Sequence, residues 1–260
     1  MPLKIQYCSD LHLEFPENRK FIASNFLPPL GDILVIAGDL VTFCDLHRAK
    51  DFIDYASDHF AAVYWVPGNH EYYGSDIADR KEAFAEKIRE NFFLLNNKSI
   101  VHAGVRLMFS TLWSHISPER ADELERCISD FSQIRYHGRR LSAQNFSALH
   151  DEAVRFLTKG LNAPDPNSNP KPEPTVVVTH HVPTLQHYPR RYRNSPLSDA
   201  FVTDLTDLIT NSGAAAWIYG HHHENTPPFN IGATKMRTNQ LGYVHHYEHR
   251  SFQKAVIIEI

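Results

Sequence analysis

Five short runs of apolar, largely β-branched residues each end abruptly in a polar cluster, and this pattern constrains the fold more than any other feature of the chain. "KIQYC" (4–8) leads into "SDLH", "DILVIA" (32–37) into "GDLV", and "AVYWV" (62–66) into "PGNHEYY". Later, "TVVVT" (175–179) leads into "HHVP" and "AAWIY" (215–219) into "GHHHEN". Runs without a polar alternate face suit strands buried on both sides, in sheets covered by helices. Spaced apolar positions among charges predict helices over 47–59, 75–91, 145–161 and 198–211, the last with Ser198 as N-cap. Residues 99–113 predict two strands about a turn at Ala103-Gly104. Strands alternating with helices make the class α/β. The proline-rich stretch 162–174 reads as a surface loop within a single domain spanning 1–260.

Composition narrows the function. A chain of 260 residues, 42% hydrophobic, is long enough to bury a sizeable core. Its net charge of -4 offers no global basic field for long nucleic acid. Cys8, Cys44 and Cys127 form no CxxC pair, which argues against a thiolate metal site or a disulfide framework and points to a reduced, cytoplasmic compartment. The N-terminus shows no leader-like pattern, and the longest apolar runs fall short of a membrane span, so no membrane role is expected. The unusual count is 17 histidines, the commonest transition-metal ligand.

In open α/β sheets, ligands gather at the carboxyl ends of strands. Here those ends carry Asp10 and His12; Asp39; Asn69 and His70; His180 and His181; and His221, His222 and His223. Each is a metal-ligand type or its amide analogue. In an extended backbone, residues i and i+2 face the same side, so Asp10 pairs with His12 and His221 with His223, while His222 turns away. Each residue alone has a bland reading. Asp10 or Asn69 would cap a turn, and a lone His180 would be a hydrogen-bonded polar group. Glu71 and Glu224 are expected to be structural or to orient histidines, and His245, His246 and His249 to face solvent.

The ordered set is specific where its pieces are not. D-x-H, G-D, G-N-H-E, a strand ending in His, and G-H-x-H stand here as "SDLH", "AGDL", "PGNHE", "VTHH" and "GHHH". In that order they resemble the calcineurin-like metallophosphoesterase superfamily, with "TNQLGY" (238–243) similar to a turn of bacterial-type members. The resemblance implies two packed mixed β-sheets flanked by helices, a four-layer αββα sandwich holding two divalent metals. By the same resemblance Asp10, His12, Asp39 and His223 would hold the first metal, and Asp39, Asn69, His180 and His221 the second. His70 would face the substrate phosphate as proton donor or charge stabiliser. Manganese is the leading expectation for the metal, with iron, zinc, cobalt or nickel also suited to imidazole and carboxylate donors. Paired metals roughly 3.5–4 Å apart clamp the attacking and departing oxygens, and a bridging hydroxide would be the nucleophile.

Two departures shape the expected substrate. Protein Ser/Thr phosphatases extend the second motif to G-D-x-x-D-R-G and place arginine before G-N-H-E, whereas this chain has "GDLVTFC" and Pro67. The missing arginines argue against phosphoproteins, and the missing aspartate leaves His70 without its usual orienting partner. Two divalent cations against Asp10, Asp39 and one hydroxide leave a single positive charge, which matches a phosphodiester. A phosphodiesterase on a small or nucleotide-like substrate is therefore expected, with a phosphomonoesterase or a catalytically silent binding scaffold as alternatives. In "HYPRRYRN" (187–194), Arg190 and Arg193 are candidates for a second phosphate and Tyr188 or Tyr192 for base stacking. Segment 114–143 is a candidate lid that would bring Arg135, Arg139 or Arg140 near the site.

Overall fold

The computed structural model describes residues 1–80, 83–162, 173–193 and 195–260. The loop expected at 162–174 lies almost wholly outside them, as does Asn194. One six-stranded sheet contains β1 (Lys4–Cys8), β2 (Ile33–Ala37), β3 (Ala62–Val66), β4 (Phe84–Arg89), β5 (Phe92–Asn96) and β14 (Ile257–Glu259), in the order β14-β1-β2-β3-β5-β4. The other contains β6 (Lys98–His102), β7 (Val105–Ser110), β10 (Thr175–Thr179), β11 (Ala216–Ile218), β12 (Phe229–Ile231) and β13 (Thr234–Arg237), in the order β12-β13-β11-β10-β7-β6. Each sheet has four parallel inner strands and an antiparallel strand at either edge.

Alternation along the inner strands divides the core into three layers. Ile5, Tyr7, Val35 and Val66 of one sheet meet Leu107, Phe109, Val176, Val178 and Ile218 of the other. On the outer face of the first sheet, Leu34, Ile36, Val63 and Trp65 pack with Phe52, Ile53 and Ala56 of helix α2 (Lys50–His59), together with Ile22 of α1 (Pro16–Ser24). On the second, Met108, Val177 and Trp217 pack under Ala153 and Leu157 of α5 (Ala143–Asn162) and Ile209 of α6 (Thr206–Asn211). Burying a Val, Ile or Phe at these positions stabilises by about 1.5–3 kcal/mol each. The two sheets with helices outside are the αββα sandwich that the resemblance implied.

Several expectations about elements hold and others do not. The Ala103-Gly104 turn joins β6 to β7 with both residues at positive φ, +49° and +76°, as a two-residue hairpin requires. The helix expected over 75–91 is instead a short 3-10 turn at Ile77–Asp79 and the edge strand β4, among the described residues of that span. β4 reads FAEKIR with half-buried and exposed residues alternating, a period of two in which the outward Lys87 and Arg89 blunt the sheet edge. The 198–211 helix is broken into a 3-10 turn at Ser198–Ala200 and α6, and Ser198 donates to the Tyr192 carbonyl instead of capping. Between β7 and α5 lie α3 (Ala121–Cys127), α4 (Asp130–Gln133) and a two-stranded hairpin, β8 (Arg135–Tyr136) and β9 (Arg139–Arg140). No helix among the described residues is long and apolar enough to cross a membrane.

Candidate metal centre

The carboxyl ends of β1, β2, β3, β10 and β11 bring the seven predicted ligands together. Ligand atoms of Asp10, His12, Asp39 and His223 lie within 4.8 Å of one another. His12 Nε2 is 2.9 Å from His223 Nε2, and His223 Nε2 is 3.4 Å from Asp10 Oδ1. The second set converges on His180 Nε2, which stands 3.1 Å from Asn69 Oδ1, 3.1 Å from His221 Nδ1 and 3.3 Å from Asp39 Oδ2. The same Asp39 Oδ2 is 3.6 Å from His12 Nε2, so one carboxylate oxygen faces both sets.

The other nitrogen of every imidazole in the two sets has an acceptor. Nδ1 of His12 faces Glu14 Oε1 at 3.0 Å, that of His180 the Ala37 carbonyl at 2.9 Å, and that of His223 Glu248 Oε2 at 2.7 Å. His221 turns Nε2 toward the Ala200 carbonyl at 3.4 Å. An N–H fixed outward leaves a lone pair aimed inward, which is how a protein sets the tautomer of a metal-binding histidine. Asn69 follows the same logic. Its amide nitrogen donates to Asp130 Oδ1 at 2.8 Å, leaving Oδ1 for the centre. This donor set, oxygen and imidazole without thiolate, fits divalent transition-metal ions.

The backbone that presents these residues is not extended. Asp10, His12, Asp39, His221 and His223 have φ of +55°, +48°, +55°, +84° and +54°. The convergence of His221 with His223, and of Asp10 with His12, therefore comes from left-handed turns after the strands and not from the i, i+2 geometry of a strand. Two glycines permit the close approach. A Cβ on Gly38, itself at φ +89°, would fall 2.2 Å from His180 Nδ1, and one on Gly68 2.1 Å from Asp39 Oδ1. His222 does stand apart from both sets. It is buried against Tyr188, with ring centroids 5.8 Å apart, and its Nδ1 meets the Gln240 side chain.

Other expectations hold in part or are corrected. Of the two roles expected for Glu71, the hydrogen bonds show the structural one. Its carboxylate accepts from the backbone N–H groups of Asp39 (3.0 Å), Leu40 (2.7 Å) and Gly68 (2.6 Å) and from Trp65 Nε1, fixing the turns that carry the ligands. Glu224 pairs with Arg191 at 2.8 Å on the surface. His245 and His246 are exposed as expected, while His249 is half-buried near Phe21. Arg190 is exposed and Arg193 donates to the Leu185 carbonyl at 3.2 Å; neither lines the cavity above the centre, whereas Tyr188 and Tyr192 do. Segment 114–143 contributes Cys127 to Asp130 to that cavity in place of Arg135, Arg139 and Arg140.

His70 has a partner that the motifs did not reveal. Its Nδ1 lies 2.9 Å from Glu14 Oε1, the oxygen that also holds His12, and its Nε2 lies 3.1 Å from the Tyr243 hydroxyl. Its backbone N–H donates to Asp39 Oδ1 at 3.0 Å. Glu14 follows His12 by two residues and was a readable signal. Tyr243 and Gln240 stand in "TNQLGY", whose resemblance carried no role for either; that turn is held to the chain just after β1 through Leu241 N–Ser9 O and Gly242 N–Asp10 O.

In the metal-free protein, protons would do part of what cations do. Burial lowers His180 and His223, but Asp39 and Asp10, with Glu248 beside His223, push them up to about 9 and about 10. Burial holds His12, His181 and His221 down, and His222 at about 4. The signs give a prediction for the metal-free protein. Raised groups stabilise fully below the ordinary value of 6.5 and lose that contribution as pH climbs through 9 and 10. Lowered imidazoles stabilise above 6.5 and lose their contribution on acidification. Thermal stability in chelator should therefore peak near neutral pH and fall on both sides, and divalent metal should restore the alkaline limb by displacing protons. Calorimetric Tm values across pH 5–10, with and without manganese, check this; an alkaline limb indifferent to metal would contradict it.

The comparisons with known proteins agree with the geometry. An uncharacterized protein of Acanthamoeba polyphaga mimivirus, L509, is 29% identical over 281 aligned positions, covering 98% of this chain and 96% of that protein. Crystal structures with a similar fold include a phosphopantetheinyl hydrolase from Mycobacterium tuberculosis (TM-score 0.68, 17% identity, 100% of this chain and 96% of that one). A dimetal phosphatase from Danio rerio is also similar in fold (TM-score 0.51, 15% identity, 92% of this chain and 88% of that one). The profile of the calcineurin-like phosphoesterases matches residues 3–225, and the chain belongs to that family.

Proposed function

We propose that the chain is a dinuclear, metal-dependent phosphodiesterase acting on a small-molecule ester. The observation that carries this reading is the outward anchoring of all four imidazoles around the shared Asp39 carboxylate, which leaves their lone pairs convergent. One cation would be held by Asp10, His12, Asp39 and His223 and the other by Asp39, Asn69, His180 and His221, with manganese our first choice. Such a pair supplies Lewis-acid polarisation of a phosphoryl oxygen and a water acidified enough to attack phosphorus.

The protein's own groups do the rest. Burial lowers the His70 pKa, but Asp39 and Glu14 more than offset it and raise it overall, which favours the protonated ring. Glu14 accepts from its Nδ1, which leaves Nε2, in the cavity wall, to give a proton to the departing oxygen. Thr42 and Pro67 supply no arginine for the second charge of a monoester, and among the described residues no lysine or arginine lines the cavity. A singly charged diester is the better match. The two solved relatives are named a phosphopantetheinyl hydrolase and a dimetal phosphatase, both hydrolases.

The test compares kcat/KM for bis-p-nitrophenyl phosphate and p-nitrophenyl phosphate in manganese. The diester should be cleaved at least as well. A hundredfold preference for the monoester, about 2.7 kcal/mol, would overturn the diester assignment.

A further inference from the structure

The cavity above the metal centre has a composition that hydrolysis alone does not demand. It encloses about 370 Å³, within the usual range for small-molecule sites. His70, Asn69, Asp39 and the glycine-histidine turn form one part of its lining. Tyr192, Leu197 and Phe201 come from the loop following Tyr188, and Cys127, Ile128 and Ser129 from the end of α3. Among the described residues that line it, the charged side chains other than histidine are all carboxylates: Asp39, Asp130 and Glu248.

Those carboxylates are pinned. Asp130 Oδ1 accepts from Asn69 Nδ2 at 2.8 Å and from the Tyr73 hydroxyl at 2.6 Å. Glu248 Oε2 faces His223 Nδ1 and accepts from the Tyr243 backbone N–H, both at 2.7 Å. Of the nearby arginines, Arg190 is exposed and outside the lining, and the other two are engaged elsewhere. Arg191 pairs with Glu224 and lies over the Tyr192 ring at 4.6 Å, and Arg193 is bound to a backbone carbonyl. Tyr188 is buried against His222, so it is structural and not a free stacking surface.

We infer that the organic arm of the substrate is uncharged and partly apolar, an alcohol or amide-bearing group with no second phosphate or carboxylate. This deepens the phosphodiesterase reading and rests on it. The single positive excess of the loaded centre is matched by the scissile phosphodiester. A further anion on the arm would leave water for a cavity in which Asp130 and Glu248 repel it and no lysine or arginine among the described residues replaces its hydration. A neutral arm instead gains apolar contact with Leu197, Ile128 and Phe201 and meets the hydroxyls of Tyr192 and Ser129. In hydrolysis the oxygen of water forms the new bond to phosphorus and the ester P–O bond breaks. The departing oxygen takes one proton, and the remaining proton of the water goes to solvent.

A matched pair of substrates tests the inference: p-nitrophenyl thymidine 5′-phosphate and its 3′-phosphorylated counterpart, with the manganese-loaded protein. The second phosphate should lower kcat/KM by about tenfold or more, chiefly through KM. Calorimetric binding of the products, thymidine 5′-phosphate against thymidine 3′,5′-bisphosphate, should show the same order. Ile128→Lys, which places a cation in the lining, should narrow the gap. Equal or better cleavage of the 3′-phosphorylated ester overturns the uncharged-arm assignment and leaves the phosphodiesterase reading intact. Failure to cleave either ester, or bis-p-nitrophenyl phosphate, overturns both.

Discussion

Asp39→Ala should lose bound metal and hydrolysis together, with kcat/KM falling by about 10⁴-fold or more, ~5.5 kcal/mol. No other carboxylate is placed as this one is. Oδ2 lies between His180 Nε2 and His12 Nε2, at 3.3 and 3.6 Å, while Oδ1 accepts from the His70 backbone N–H. Removing it takes a negative charge from both ligand sets at once, leaving the second set with no carboxylate and the first with Asp10 alone. Burial raises the Asp39 carboxyl, but His180, His70 and His12 outweigh this and hold it well below the ordinary range, which favours the charged form. The variant is checked by metal content per chain and by bis-p-nitrophenyl phosphate turnover. Retention of two metals with activity within tenfold of the parent would remove Asp39 from its bridging role.

The second large effect separates chemistry from metal binding. His70→Ala should cut kcat by about 10²-fold while metal content stays near normal, the low end for a positioned proton donor. Glu14 is expected to act through that ring. Glu14→Gln keeps the size of the side chain but removes the charge that fixes Nδ1–H, and should lower kcat by about tenfold at saturating manganese. Saturation matters because Glu14 also holds His12 and its loss weakens metal affinity. The double variant Glu14→Gln/His70→Ala should be no slower than His70→Ala alone, since a positioning residue has nothing left to position. Additive losses would place the action of Glu14 elsewhere. Loss of metal from His70→Ala would make His70 a ligand.

The parts of the site carried at strand ends were legible because a buried parallel strand is a continuous apolar run and its end is abrupt. Asp10, Asp39, Asn69, His180 and His221 each lie within three residues of the end of such a run. What was hidden depends on partners brought from a distance. Tyr243 and Gln240 reach the site through pairing with Ser9 and Asp10, more than 200 residues earlier, so the "TNQLGY" turn was visible in the sequence but the partners of its side chains were not. β4 was misread because Phe84, Glu86 and Ile88 point inward at an edge where one inward position is charged, so a period of two resembles an amphipathic helix. The pairing of His221 with His223 was foreseen for an unsuitable reason: left-handed turns, not extended backbone, aim both rings.

Those turns bear on how readily such a protein changes its trade. Left-handed backbone is tolerated best by glycine and asparagine, with aspartate and histidine close behind, and poorly by branched or bulky side chains. At Asp10 and Asp39 an asparagine would therefore sit as comfortably as the aspartate does, keeping an oxygen for the neighbouring N–H groups while discarding the charge that cations need. Aspartate and asparagine codons differ by one base. A hydrolase built this way lies a single nucleotide from a folded chain with the same cavity and no chemistry, so binding partners could be inherited intact by a descendant that only recognises what its ancestor cut.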